Sequence, residues 1–198
     1  MKFAVTSKEK QFLHKLGFVE LAGCLKEDAA ASFISSLENA PLRDPHTSIE
    51  EVKRLAHKKD FTHLFGELFN QKKIRLLTTA INPDIERLTD LCFQGIVGGF
   101  LFTFTSEETP NHLEMTMDSE REHITPCAST PTSLLVLSPH VKLLPPPAGS
   151  LSLLVVYGEE SSVYFKNDTD PFKTKLRDEG MDYGDAVKDP RHPLIHTR

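Results

Sequence analysis

The apolar positions of this chain change period partway along. Over the first ninety or so residues they recur every three or four positions, the helical repeat; beyond Ile96 they alternate, the repeat of a strand with two unlike faces. Thr6-Ser7-Lys8-Glu9 has the form of a capping box. Phe12, Leu13 and Leu16 follow at helical spacing, and Gly17 supplies the stop. Residues Phe18–Leu21 read as a short strand. Glu27–Leu37 reads as a second helix, with Ala30, Phe33, Ile34 and Leu37 on one stripe. Residues 41–46 read as a loop. Thr47-Ser48-Ile49-Glu50 repeats the capping-box form and opens a short charged helix ending at Lys58. Phe61, Leu64, Phe65 and Leu68 then form one apolar stripe, with Asn70 as the expected cap. Residues 74–77 fit a strand or a helix turn equally. Asn82-Pro83 has the form of an N-cap with proline at the first helical position, which predicts a helix to about Cys92.

The second half is β-rich. Residues 96–105 place Phe100, Phe102 and Phe104 on one face, and Gly98-Gly99 within this run marks a bulge or a close backbone approach. Further strands are expected at 112–117, Leu134–Leu137, 140–144, 151–157 and 162–166, separated by turn-forming residues. The segment from Asp168 onward is polar and irregular, with Asp170-Pro171 opening a short helix through Arg177. Helices first and strands afterwards predict an α+β protein, with N-terminal helices backing one sheet of a β-sandwich. A single domain over 1–198 is expected: a helix-rich region over 1–93, a β-rich core over 94–167 and a polar C-terminal segment over 168–198.

A chain of 198 residues is long enough for a sizeable core. Its net charge of −5 and acidic isoelectric point argue against a nucleic-acid partner, which normally calls for a basic surface. Cys24, Cys92 and Cys127 are widely spaced, so reduced thiols and a cytoplasmic location are expected. No apolar run reaches the roughly 18 residues of a membrane span, and no secretory h-region follows Met1. The expected partner is a small-molecule ligand in a pocket of the β-sandwich; the residues identify no protein partner.

His112-Leu113-Glu114 carries the most chemistry. Alternation puts His112, Glu114 and Thr116 on one face of the strand, and Leu113, Met115 and Met117 on the other. An imidazole and a carboxylate two positions apart can chelate one divalent metal, two-thirds of the 2-His-1-carboxylate triad. His140 is a candidate third ligand. His123 lies in a charged run that reads as a solvated turn. His192 and His196, near Asp189, lie in a segment expected to be mobile. His14, His57 and His63 lie on charged helical segments and are expected to face solvent. No cysteine or serine sits in a nucleophile signature, and there is no phosphate-cradling glycine motif.

The helix and strand at 12–21, the helix that follows, His112-Leu113-Glu114 and the strand Gly149-Ser150-Leu151-Ser152-Leu153-Leu154-Val155-Val156 together resemble the Fe(II)/2-oxoglutarate dioxygenase superfamily, in its phytanoyl-CoA hydroxylase-like and AlkB-like members. The resemblance implies a double-stranded β-helix, cupin-like or jelly-roll, and Fe(II) and 2-oxoglutarate as cofactors if the protein is active. It also implies a distal histidine, and Lys166 stands in the corresponding place. A protonated lysine has no lone pair to give a metal, so the triad reads as incomplete. Its ammonium would instead supply positive charge beside His112 and Glu114. Arg177 is the residue the resemblance offers for the 2-oxoglutarate carboxylate. Two function classes follow: an atypical oxygenase or non-catalytic small-ligand-binding descendant of one, or a regulatory, metal-sensing or partner-binding module without enzymatic activity. A cupin-like metal protein using His112, Glu114 and His140 is a third.

Overall fold

The computed structural model describes residues 5–21, 24, 27–37, 39–104, 111–116, 125–129, 134–143, 151–188 and 190–197. His123 and Asp189 lie outside them, and for 27–30, 111–116 and 125–129 only the backbone is described.

The first helix, α1 (Ser7–Leu16), begins where the capping box predicts: Thr6 and Glu9 exchange side-chain-to-backbone bonds, and Gly17 closes the helix at φ 81°. β1 (Phe18–Leu21) and α2 (Glu27–Leu37) follow as expected. The second capping box does not form. The Thr47 hydroxyl donates to the Asp44 carbonyl within a 3-10 turn, and α3 (Glu50–Ala56) starts at Ile49 without a side-chain cap. α4 (Lys59–Leu68) buries the predicted stripe, and Asn70 turns the chain at φ 54°.

Residues 74–77 belong to a strand, β2 (Lys73–Ile81). No α-helix follows it. Asn82 sits at φ 43°, and its amide oxygen accepts from the backbone N–H of Ser152 instead of capping a helix. Only a 3-10 turn at Leu88–Asp90 precedes β3 (Phe93–Phe104). β4 (Asn111–Thr116), β5 (Thr125–Ser129) and β6 (Leu134–Leu137) come next. The strand expected at 140–144 shrinks to β7 (Lys142–Leu143), with His140 in the turn before it. The two strands expected at 151–157 and 162–166 are one, β8 (Leu151–Tyr164), whose register against β3 shifts around Ile96. The expected helix at 170–177 reduces to α5 (Lys175–Asp178), and the C-terminal segment ends in β9 (Leu194–His196).

These strands form a six-stranded sheet, β1-β6-β3-β8-β2-β9, and a three-stranded sheet, β5-β4-β7, with every pair antiparallel. The large sheet is apolar on both faces. Ile74, Leu76, Phe100, Phe102, Phe104, Val136, Val155 and Tyr157 meet Phe33, Val52, Phe61, Leu64 and Phe65 of the helices in one buried cluster. Tyr157 anchors this layer by donating from its phenol to the Ala56 carbonyl at 2.6 Å. The opposite face carries Leu77, Leu101, Leu135, Leu137, Leu154 and Val156. Leu143 of β7 packs into that second cluster, so the small sheet lies over the inner face. The result is an α+β protein with a double-stranded β-helix backed by helices.

Gly98 sits where these layers meet. A Cβ there would lie 2.5 Å from the Leu137 carbonyl oxygen and 2.6 Å from the Phe69 ring. The ring can move, but the carbonyl belongs to the β3-β6 ladder and cannot. Gly98→Ala is expected to destabilise the protein by about 1–3 kcal/mol, the usual range for overpacking. Urea unfolding of the two proteins checks it; an unchanged midpoint counts against this close approach.

Candidate functional site

Three places hold the groups singled out in the sequence. The first is β4. His112 pairs across the ladder with Ala128 and Glu114 with Pro126, while Met115 stands opposite Leu143 and Thr116 opposite Lys142. Lys142 is partly exposed, with its ammonium 3.5 Å from Glu86, whereas Leu143 is buried in the inner cluster. The backbone register therefore aligns His112, Glu114 and Thr116 with Lys142, and Leu113 and Met115 with Leu143.

The second is the surface. Lys166 lies just past the end of β8, is largely exposed, and has its ammonium 3.9 Å from Asp168. Arg177 is exposed on α5, its guanidinium over the Tyr183 ring at 5.4 Å. His140 and His14 line one cavity of about 410 Å³ with Lys10, Leu68 and Phe69, beside α1 and the end of α4. His63 is bonded to the Thr197 carbonyl at 2.8 Å, so the C-terminal segment reaches α4. His57 is half-buried, and burial lowers its pKa, with His46 and Lys53 adding to the effect.

The third lies along the free half of the β2 edge, and sequence reasoning did not single it out. β9 pairs with residues 73–75 of β2; further on, the backbone around Arg43 pairs with Ala80. This brings a loop, a strand and the C-terminal segment together around buried charge. Arg43, Asp44 and His46 from the loop, Thr78 and Thr79 from β2, and Asp170 are all buried. The Asp170 carboxylate accepts from the backbone N–H groups of Cys92 and Phe172, both at 2.8 Å, and lies 3.3 Å from the Arg43 guanidinium. Asp44 accepts from the Thr78 hydroxyl at 2.6 Å and from the Lys175 ammonium at 2.8 Å. His46 uses both ring nitrogens, one toward the Thr79 hydroxyl at 2.8 Å and one toward the Arg191 carbonyl at 2.9 Å. Two cations and two carboxylates thus offset each other where isolated charges would be very costly.

His192 is buried as well, its ring edge-on to Phe93 at 6.1 Å, and Arg75 donates to its carbonyl. The C-terminal segment, expected to be mobile, is fixed by these bonds. The only hint in the sequence was a pair of charges between two prolines, Pro41-Leu42-Arg43-Asp44-Pro45, together with the Asp170-Pro171 turn. Neither shows which strand edge it covers.

Beside this cluster is a cavity of about 200 Å³. Leu42, Ile81, Ile85, Leu91 and Phe172 give it apolar walls; Arg43, Asn82 and Asp84 are its polar lining. On the inner face of the sheet nearby, Thr103 and Ser152 pair across β3 and β8. The Thr103 hydroxyl is buried without a hydrogen-bond partner among the described residues, and Ser152 is held by Asn82.

No family model matches this chain, and no curated protein matches it. Solved structures do. It is similar to the non-haem α-ketoglutarate-dependent carbocyclase SnoK of nogalamycin biosynthesis, at a TM-score of 0.73 and 12% identity over 96% of both chains. HygX of Streptomyces hygroscopicus, solved with nickel and 2-oxoglutarate bound, is similar at a TM-score of 0.60 and 15% identity, over 78% of this chain and 87% of that one. CT296 of Chlamydia trachomatis is similar at a TM-score of 0.55 and 12% identity, over 80% of this chain and 98% of that one. The chain therefore has the fold of the 2-oxoglutarate/Fe(II) oxygenases.

The charge cluster makes a testable contribution to stability. Burial alone would raise the Asp44 pKa, but Arg43, Lys175 and the Thr78 hydroxyl together outweigh it and hold the carboxyl below its usual range. A folded-state pKa below the unfolded value of about 3.9 stabilises fully above that value, and the gain is lost as pH falls through the folded pKa. Wild type is therefore expected to lose more stability than Asp44→Asn between about pH 5 and pH 2. Denaturant melts at both pH values test this, and equal losses would show that Asp44 is not held ionised.

Proposed function

We propose that this protein is a non-catalytic, small-ligand-binding protein built on the oxygenase fold, with an incomplete metal triad. The observation that carries this reading is the composition of the inner face. Along the central strands it presents Leu101, Thr103, Ser152, Leu154 and Val156, none of which is an imidazole or a carboxylate. Lys166 supports the same reading, since its ammonium pairs with Asp168 at the surface and offers no lone pair to a metal. An apolar sheet face together with a lysine where the resemblance places the distal ligand favours small-molecule binding over an Fe(II) centre.

The remaining chemistry suits binding. The inner face is apolar, polar groups collect at one end of it, and a cavity opens beside them. Cys24 and Cys92 are buried and unpaired, and burial pushes both thiols up to about 11. That fits inert thiols in the reducing cytoplasm better than nucleophiles. Among the described residues no helix is long and apolar enough to cross a membrane.

The test is metal content together with turnover. Protein purified with added iron is expected to hold far less than one equivalent, and to form no succinate from 2-oxoglutarate above a His112→Ala control. Stoichiometric iron that is lost in His112→Ala, or succinate formation that depends on His112, would overturn the proposal in favour of an atypical oxygenase.

A further inference from the structure

The Arg43 guanidinium presents more donors than the protein uses. Its side chain is only 7% exposed, yet among the described residues its hydrogen bonding is a single contact, from one terminal nitrogen to Asp170 at 3.3 Å. Asp170 does not depend on Arg43 alone, because two backbone N–H groups also satisfy it. A guanidinium has five N–H donors in a planar fork suited to a carboxylate. Phe172 fixes that fork, with its ring 5.5 Å from the guanidinium carbon. Arg43 also lines the 200 Å³ cavity, whose other walls are mostly aliphatic or aromatic.

We infer that this cavity binds a small monocarboxylate with a ring-sized apolar body, its carboxylate on Arg43 and its body against Leu42, Ile81, Ile85, Leu91 and Phe172. Size sets the body: an enclosed apolar cavity of about 150 Å³ is enough for benzene. Charge sets the head group, because Arg43 is the one cation lining the cavity among the described residues. Asp84 and Asn82 are exposed, and neither competes for the depth of the pocket. The inference names a ligand class for the binding role proposed above and rests on that reading.

Three probes of one shape test it: phenylacetate, 2-phenylethanol and phenethylamine, titrated into the full chain by calorimetry, with the Arg43 Nε–H resonance followed by NMR. Phenylacetate is expected to bind one to one and to shift that resonance, at least tenfold more tightly than the alcohol, with the amine weakest. Arg43→Met should abolish the preference for the acid. Because that change leaves Asp170 without its cation, Ala80→Leu is the second variant; it fills the cavity from β2 and should abolish binding while the protein stays folded. Equal binding of the three probes, preference for the amine, or unchanged phenylacetate binding in Ala80→Leu would overturn the inference. Displacement of phenylacetate by 2-oxoglutarate would do so as well, because it would make the cavity a co-substrate site. Iron content reports separately on the proposed function, so a failure of that reading is distinguishable from a failure of this inference.

Discussion

The constraint that governs this molecule is that its two central strands are apolar on both faces. Along β8, Leu153, Val155 and Tyr157 point one way and Leu154 and Val156 the other, and every one of them is buried. Such a strand cannot have a solvated side. The helices must cover one face, and the small sheet with the C-terminal segment must cover the other. The phenylalanines of α4 and β3 show how tightly the first layer closes: Phe61, Phe65, Phe100, Phe102 and Tyr157 form a continuous set of edge and tilted ring contacts. A fold built this way is a closed box, and what it can bind is decided at the ends of the sheet and along its edge.

The architecture was largely legible from local pattern. The α1 cap, the α4 stripe and the three phenylalanines of β3 each carry a period that only one element satisfies, and each stands where expected. Failures came where a polar side chain had two uses. Asn82 before a proline has the form of a helix cap, but its amide was claimed by Ser152 from a strand seventy residues away in sequence. Thr47 likewise bonded back to Asp44 instead of forward to a helix. The polarity of the last thirty residues suggested a solvated tail, yet Asp170 and His192 are among the most buried polar residues of those described. Polar composition shows that a segment needs partners, and only the fold shows whether those partners are water.

The site was less legible than the fold. His112 and Glu114 drew notice because two ligating types at alternate positions form a recognisable local pattern. Arg43, Asp44, Asp170 and Lys175 form no such pattern; the pair Arg43 and Asp170 spans most of the chain, and only the closing of the C-terminal segment over β2 brings them together. The similarity to SnoK and HygX establishes a shared fold, and at 12–15% identity the chemistry must be argued from this chain's own side chains.

The manner in which β2 is shielded has a further consequence. An outer strand with bare amides and carbonyls invites a foreign peptide to add on. Here β9 occupies one stretch of that rim and the backbone around Arg43 another, while the far rim is β1, only four residues long. Among the described residues, little of the β2 ladder is left for a second chain to extend, so strand exchange at β2 itself would first require peeling β9 away. Substitutions that loosen Leu194–His196 would therefore bare the amides and carbonyls of Lys73–Arg75.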